Sequence, residues 1–191
     1  MELRIPITPS SPSRMASGTM LLIPALCLAG MLLLPPCLTE RLRMRALAEP
    51  TAALAACVLH CPLLRDADTG WPILAAPHGA LRITPECSGM TFLAIALMVA
   101  CTHLLPQAGA WGRLPGQLLL ALGLAYGLTL LLNAARIMAV AGTVPVMRHL
   151  PSAAGNLLHL GVGVLIFLPG LITFSILLAQ WRRRHGCNPH A

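Results

Sequence analysis

Long uninterrupted apolar runs, neither alternating nor confined to one helical face, organise this chain. They cover residues 19–39, 46–64, 87–106, 117 to about 142, and about 153 to 181. A helix rises ~1.5 Å per residue, so ~20 residues cross ~30 Å of hydrocarbon. The pattern predicts an all-α polytopic membrane bundle of about five transmembrane helices. The second run is the weakest, with Glu49 and Pro50 close to its start. Arg4 and Arg14 precede the first run as they would a signal peptide. It lacks a small-x-small cleavage site and is followed at once by 40-ERLRMR-45, so a retained helix is expected.

The interruptions divide the chain. Residues 1–18 are polar and rich in proline and serine, which predicts a disordered N-terminal segment. Residues 19–184 form the membrane-embedded domain, and 185–191 a short C-terminal tail. Between the second and third runs, 65-RDADTGWPILAAPHGALRITPE-86 carries two short alternating stretches around Pro-His-Gly. That predicts a small β-hairpin on the membrane surface.

Composition agrees with a lipid solvent: 57% of residues are hydrophobic and 10% charged, more apolar surface than 191 residues can bury in a core of their own. All thirteen basic residues are arginine. They lie in short runs beside apolar segments, and aromatic residues are too few to stack bases, so nucleic-acid binding is excluded. With five crossings, Arg41, Arg43, Arg45, Arg113, Arg182, Arg183 and Arg184 share one side, the cytoplasmic one. Arg4, Arg14, Arg65, Arg82 and Arg148 take the other. The expected placement is a multi-pass protein of a bacterial-type inner (cytoplasmic) membrane, N-terminus out and C-terminus in.

That topology gathers chemistry at the outer face. Cys87 opens the third run, 133-NAARI-137 nears the outer end of the fourth, and 156-NLLHLGVG-163 begins the fifth. An arginine inside an apolar run costs at least ~2.5 kcal/mol on insertion scales, so Arg136 calls for a partner or a function. A thiol in the first turn of a helix meets unpaired N–H groups and the positive end of the dipole, which favour thiolate. The N–H groups of Ser88 and Gly89 suit the oxyanion of an attacked carbonyl, and Gly89 leaves room for a peptide backbone. His159 suits proton shuttling to a leaving amine. Arg136 serves the thiolate, the oxyanion or a substrate carboxylate equally well, and Asn133 one turn earlier supports a neighbouring backbone group.

Cys-Ser-Gly opening a span, then Asn-x-x-Arg-Ile, then His-x-x-x-Gly resembles the exosortase/archaeosortase family of membrane-embedded cysteine transpeptidases. Here the motifs read 87-CSG-89, 133-NAARI-137 and 159-HLGVG-163, in that order. The resemblance implies Cys87 as nucleophile, with Arg136 and His159 completing the catalytic group and no cofactor. It implies cleavage of an exported protein at a C-terminal sorting signal and transfer of the acyl group to an envelope acceptor. The chain is similar to compact members such as exosortase K, having about five spans where many members have around eight. Glu86 stands where a small residue is expected before the cysteine.

Other features read differently. Cys57 and Cys61, one helical turn apart around His60, together with Cys87, His78 and His159 define the alternative: a non-catalytic metal-binding or thiol-redox membrane protein. A helical scaffold without chemistry is a third possibility. Gly123 and Gly127 form a small-xxx-small pattern that predicts helix packing. Pro169-Gly170 predicts a kink in the fifth run. His103 and His149 have no assigned role. The seven cysteines show no metal-type pairing of CxxC motifs.

Overall fold

The computed structural model describes residues 40–41, 43–76, 79–105, 113–147, 149 and 151–185. The expected disordered segment 1–18, the first run 19–39, His78 and the tail beyond His185 lie outside the described residues.

The chain enters through a π-helical turn, Arg43–Ala48, which continues into α1 (Glu49–Leu59). Pro50 explains the irregular turn. It has no N–H for the carbonyl four residues back, that of Ala46, and the Tyr126 hydroxyl donates a 2.7 Å hydrogen bond to that oxygen. α1 ends at His60, whose φ of 51° is left-handed. The chain then doubles back through β1 (Leu63–Arg65), where Arg65 pairs with Glu49 at 3.0 Å. The run 46–64 is therefore not one spanning helix. An 11-residue α1 reaches only about 16 Å, half the hydrocarbon thickness.

The hairpin expected in 65–86 is present as β2 (Pro72–Ala76) and β3 (Gly79–Arg82). β1 adds to it, giving an antiparallel sheet of order β1-β2-β3, with Leu64 opposite Ile73 and Ala75 opposite Ala80. The sheet buries Trp71 and Leu74 against Ala52, Ala55 and Ala56 of α1 and Ile137 beyond it. These alanines recur at helical spacing and make a thin face that lets the sheet lie close.

Pro85–Ser88 forms a single 3₁₀ turn, and α2 (Met90–Leu104) follows. α3 (Leu114–Met147) and α4 (Ser152–His185) have 34 residues each, about 51 Å at helical rise. Leu114–Val146 and Leu157–Arg184 are long and apolar enough to cross a membrane, while α2 is shorter. Lipid is the solvent their outer faces require: Leu119 is 70%, Leu157 71% and Leu165 75% exposed.

α3 carries Ala121, Ala125, Thr129, Asn133 and Ile137 at four-residue spacing, all buried. Ala121 and Ala125 lie in the cluster formed with Phe92, Leu93, Ala96 and Leu97 of α2. A Cβ on Gly123 or Gly127 would meet nothing, so the small-xxx-small pair does not make the packing face; the alanine row beside it does. α4 runs unbroken through Pro169. Its neighbour Gly170 is the tighter point, since a Cβ there would overlap the Leu132 side chain. His103 Nε2 and Ser175 Oγ share a hydrogen bond of 3.1 Å between α2 and α4.

The predicted separation of Arg41, Arg43 and Arg45 from Cys87 does not hold. The Arg43–Ala48 turn packs on the Pro85–Ser88 turn, and Arg43 lines the same cavity as Ser88 and Arg136. Because α1 doubles back instead of crossing, the chain on both sides of it stays at one end of the bundle.

Candidate active site

Cys87 does not sit in the first turn of an α-helix. It belongs to the 3₁₀ turn, and α2 begins three residues later, after Gly89. The turn is fixed from two directions. The Cys87 N–H donates to the Thr84 carbonyl at 2.9 Å, and Asn133 Nδ2 donates to the Cys87 carbonyl at 2.9 Å. Asn133 is fully buried, so this bond is made where an unmet carbonyl costs most.

Gly89 lets the turn approach α3. Its φ is 80°, and a Cβ would stand 3.2 Å from Thr129 Cγ2 and 3.3 Å from Asn133 Nδ2. The glycine thus serves contact between the turn and α3, where the sequence reading had it make space for a substrate backbone. Thr129 sends its hydroxyl back to the Ala125 carbonyl at 2.7 Å, which leaves its methyl group toward Gly89.

One helical turn beyond Asn133, Arg136 reaches across to α4. Its NH2 lies 2.8 Å from His159 Nε2 and 3.9 Å from Cys87 Sγ, and Sγ lies 3.8 Å from the same Nε2. A guanidinium has no acceptor, so it donates and Nε2 receives. The imidazole facing it is therefore the neutral form with its proton on Nδ1. Gly163 makes the passage possible: a Cβ there would be 3.3 Å from Arg136 Nε. Histidine and glycine four residues apart place the imidazole and the gap for the guanidinium on one stripe of α4. Phe167, the next residue on that stripe, stacks on Phe92 at 4.5 Å and lies 5.8 Å from the Arg136 guanidinium carbon. Sequence reading passed over Phe92 and Phe167, although the spacing 159, 163, 167 was available to it.

The three expected residues thus meet, from a turn and two helices, and Asn133, Ser88 and Gly89 surround them. Two cavities border the cluster. A small one, about 30 Å³, is lined by Leu81, Arg82 and Ile83 on the sheet side, with Cys87, Arg136 and His159. It has room for about one water, not for a peptide. A larger one of about 660 Å³ meets Ser88, Gly89 and Arg136 and runs along Leu160, Val164 and Leu171 of α4.

Among the described residues, the other thiols and imidazoles do not join this cluster. His60 Nδ1 lies 3.1 Å from the Val58 carbonyl on its own chain segment, Cys57 is exposed, and Cys61 and Cys87 are free thiols. Among the described residues, no three His, Cys, Asp or Glu side chains converge as a metal site would need.

A thiol, an imidazole and a guanidinium thus converge at the rim of apolar helices. A family model described as transmembrane exosortase (EpsH) matches residues 15–178. The chain belongs to that family, and membership makes it a membrane enzyme of sorting-signal processing, with exported proteins bearing such signals as its substrates. No curated protein and no solved structure matches it.

Proposed function

We propose that the chain is a cysteine transpeptidase that cuts an exported protein at its C-terminal sorting signal and transfers it to an envelope acceptor. The observation that carries this reading is the convergence of Cys87, Arg136 and His159 within 2.8–3.9 Å. Cys87 Sγ attacks the carbonyl carbon, and its proton passes to His159 Nε2, which gives it to the departing amine as the C–N bond breaks. The thioester then meets the acceptor nucleophile, whose proton returns through His159, and the thiol is released. Arg136 holds charge on sulfur and sets the imidazole tautomer that receives the proton. The Ser88 and Gly89 N–H groups receive the oxyanion.

The small cavity requires β3 or the Pro85–Ser88 turn to yield before a peptide reaches Cys87. We place the cluster at the outer face, with α2, α3 and α4 crossing and α1 lying with the sheet at the outer rim. This carries the C-terminal end of α4 inside. Among the described residues, Arg113, Arg182, Arg183 and Arg184 then face the cytoplasm, and Arg41, Arg43, Arg45, Arg65 and Arg82 do not. Arginine bias among these is nearly balanced and no longer orients the chain by itself; the orientation rests on substrates being exported.

Trapping tests the chemistry. A substrate–enzyme thioester, sensitive to hydroxylamine, should accumulate without acceptor and be absent in Cys87→Ala. Processing by Cys87→Ala at the wild-type rate would overturn the assignment.

A further inference from the structure

The larger cavity is not the nucleophile's own. Cys87 and His159 do not line it; the residues at its polar end are Arg43, Ser88, Gly89 and Arg136. Apart from Thr91, its remaining wall is apolar, with Phe92 and Ile95 of α2 and Leu160, Val164, Leu168 and Leu171 of α4. Val164 and Leu168 are 54% exposed, so the groove opens sideways to the lipid side of the bundle. It is a cationic head with an apolar trough leading away from it.

The two cations lack a counter-charge. Arg43 and Arg136 make no ion pair with any described residue, and the Nε of each is buried without a hydrogen-bond partner. No carboxylate appears among the described residues that line the cavity. Two arginines that line one cavity at the edge of an apolar medium, with no carboxylate beside them, call for an anion. The irregular turn around Pro50 brings the first of them there, since Arg43 opens the π-helical segment. A cavity of about 660 Å³ is of the size that encloses a small amphipathic ligand.

We propose that this groove binds an anionic phospholipid, its phosphate between Arg43 and Arg136 and an acyl chain along α2 and α4. A peptide helix would match the trough but leave the two guanidinium groups without an anion. A bare anion would match the head but leave the trough unfilled. An anionic lipid satisfies both, as basic pockets between membrane helices do elsewhere. This site shares Arg136, Ser88 and Gly89 with the proposed peptide chemistry but does not depend on Cys87 acting as a nucleophile.

The test is lipid binding by the full chain, read by thermal unfolding in phosphatidylcholine vesicles with and without phosphatidylglycerol. Phosphatidylglycerol should raise the unfolding temperature of the wild type. Native mass spectrometry from detergent should show it retained. Arg43→Gln should weaken that retention about fivefold, the effect of removing one arginine near a membrane surface, and Arg43→Lys should restore most of it. Leu168→Trp, at an exposed position that fills the trough, should reduce retention with the arginines intact. The tail variant Arg183→Gln should retain phosphatidylglycerol as the wild type does.

Equal response to both lipids would make the groove an apolar filler site and overturn the proposal. So would selectivity unchanged by Arg43→Gln, or lost equally in Arg183→Gln, either of which assigns it to general surface charge. Inorganic phosphate producing the same stabilisation would leave only a free-anion site. None of these readouts uses turnover, so failure here leaves the transpeptidase reading standing, and failure of thioester trapping leaves this one.

Discussion

At the scale of single residues, the cluster depends on which atoms occupy which gaps. Arg136 passes under α4 only because residue 163 has no Cβ, with 3.3 Å between that position and Nε. Gly163→Ala should move the guanidinium by a few tenths of an ångström and lower processing with little loss of fold. Arg136→Lys keeps the charge but has one compact ammonium where a planar fork bridged sulfur and imidazole, so it should cost about 10²-fold in processing rate. Asn133→Asp is a sharper probe of the turn. It exchanges the amide donor for a carboxylate facing the Cys87 carbonyl at 2.9 Å, and the buried pair then repels. Loss of both thermal stability and thioester yield is expected, with Asn133→Ala losing stability less.

At the scale of elements, the Pro85–Ser88 turn and the end of β3 border the small cavity at the sulfur. Gly89→Ala puts a Cβ at φ 80° and 3.2 Å from Thr129, so it should destabilise by about 1–2 kcal/mol, read as a lower midpoint of thermal unfolding. The sheet is tied at its open end by Asp66. The Thr69 hydroxyl bonds its carboxylate at 2.8 Å, the Asp68 N–H bonds it at 3.2 Å, and Arg82 pairs with it. The Thr69 hydrogen bond is the largest cause holding the Asp66 pKa below its ordinary value of 3.8, with the Asp68 N–H and the Arg82 charge adding to it. A depressed carboxylate contributes order above its unfolded pKa and loses it as pH falls through the folded one. Protection of the sheet amides from hydrogen exchange should therefore stay flat from neutral pH down to about 4 and fall below that. Asp66→Asn should remove that dependence.

At the scale of the whole molecule, the short α1 decides how many times the chain crosses. Alkaline phosphatase fused in the turn after Asp66 should be active, and the same reporter fused after Arg184 should be inactive. Activity at the second position would reverse the orientation and put the thiol on the wrong face for exported substrates. α1 and the sheet share one buried cluster with Ile137, and Cys87 packs against it, so loosening the surface layer should loosen the site. Truncating Trp71 to Ala, at 4% exposure, should cost about 3–5 kcal/mol and loosen the thiol's surroundings, read as faster alkylation of Cys87.

What local pattern carries was legible in the chain itself. Unbroken apolarity announces α3 and α4, because a helix surrounded by lipid has no polar face to signal. The Pro-His-Gly stretch announces the hairpin, because turn chemistry is local. The residues Cys87, Arg136 and His159 stand out because thiol, guanidinium and imidazole are conspicuous in apolar surroundings. Tertiary structure alone decided the rest. The stretch 46–64 is apolar enough to span, but Pro50 unsettles its first turn and Glu49 draws Arg65 back, so it folds onto the rim. Arg43 reaches the larger cavity for the same reason. Gly89 and Gly163 acquire their meaning from atoms on other helices, which no spacing along one strand of sequence contains. Hydrophobicity and turn propensity act between near neighbours and can be read in order; close approach acts between distant residues and exists only once the chain has packed.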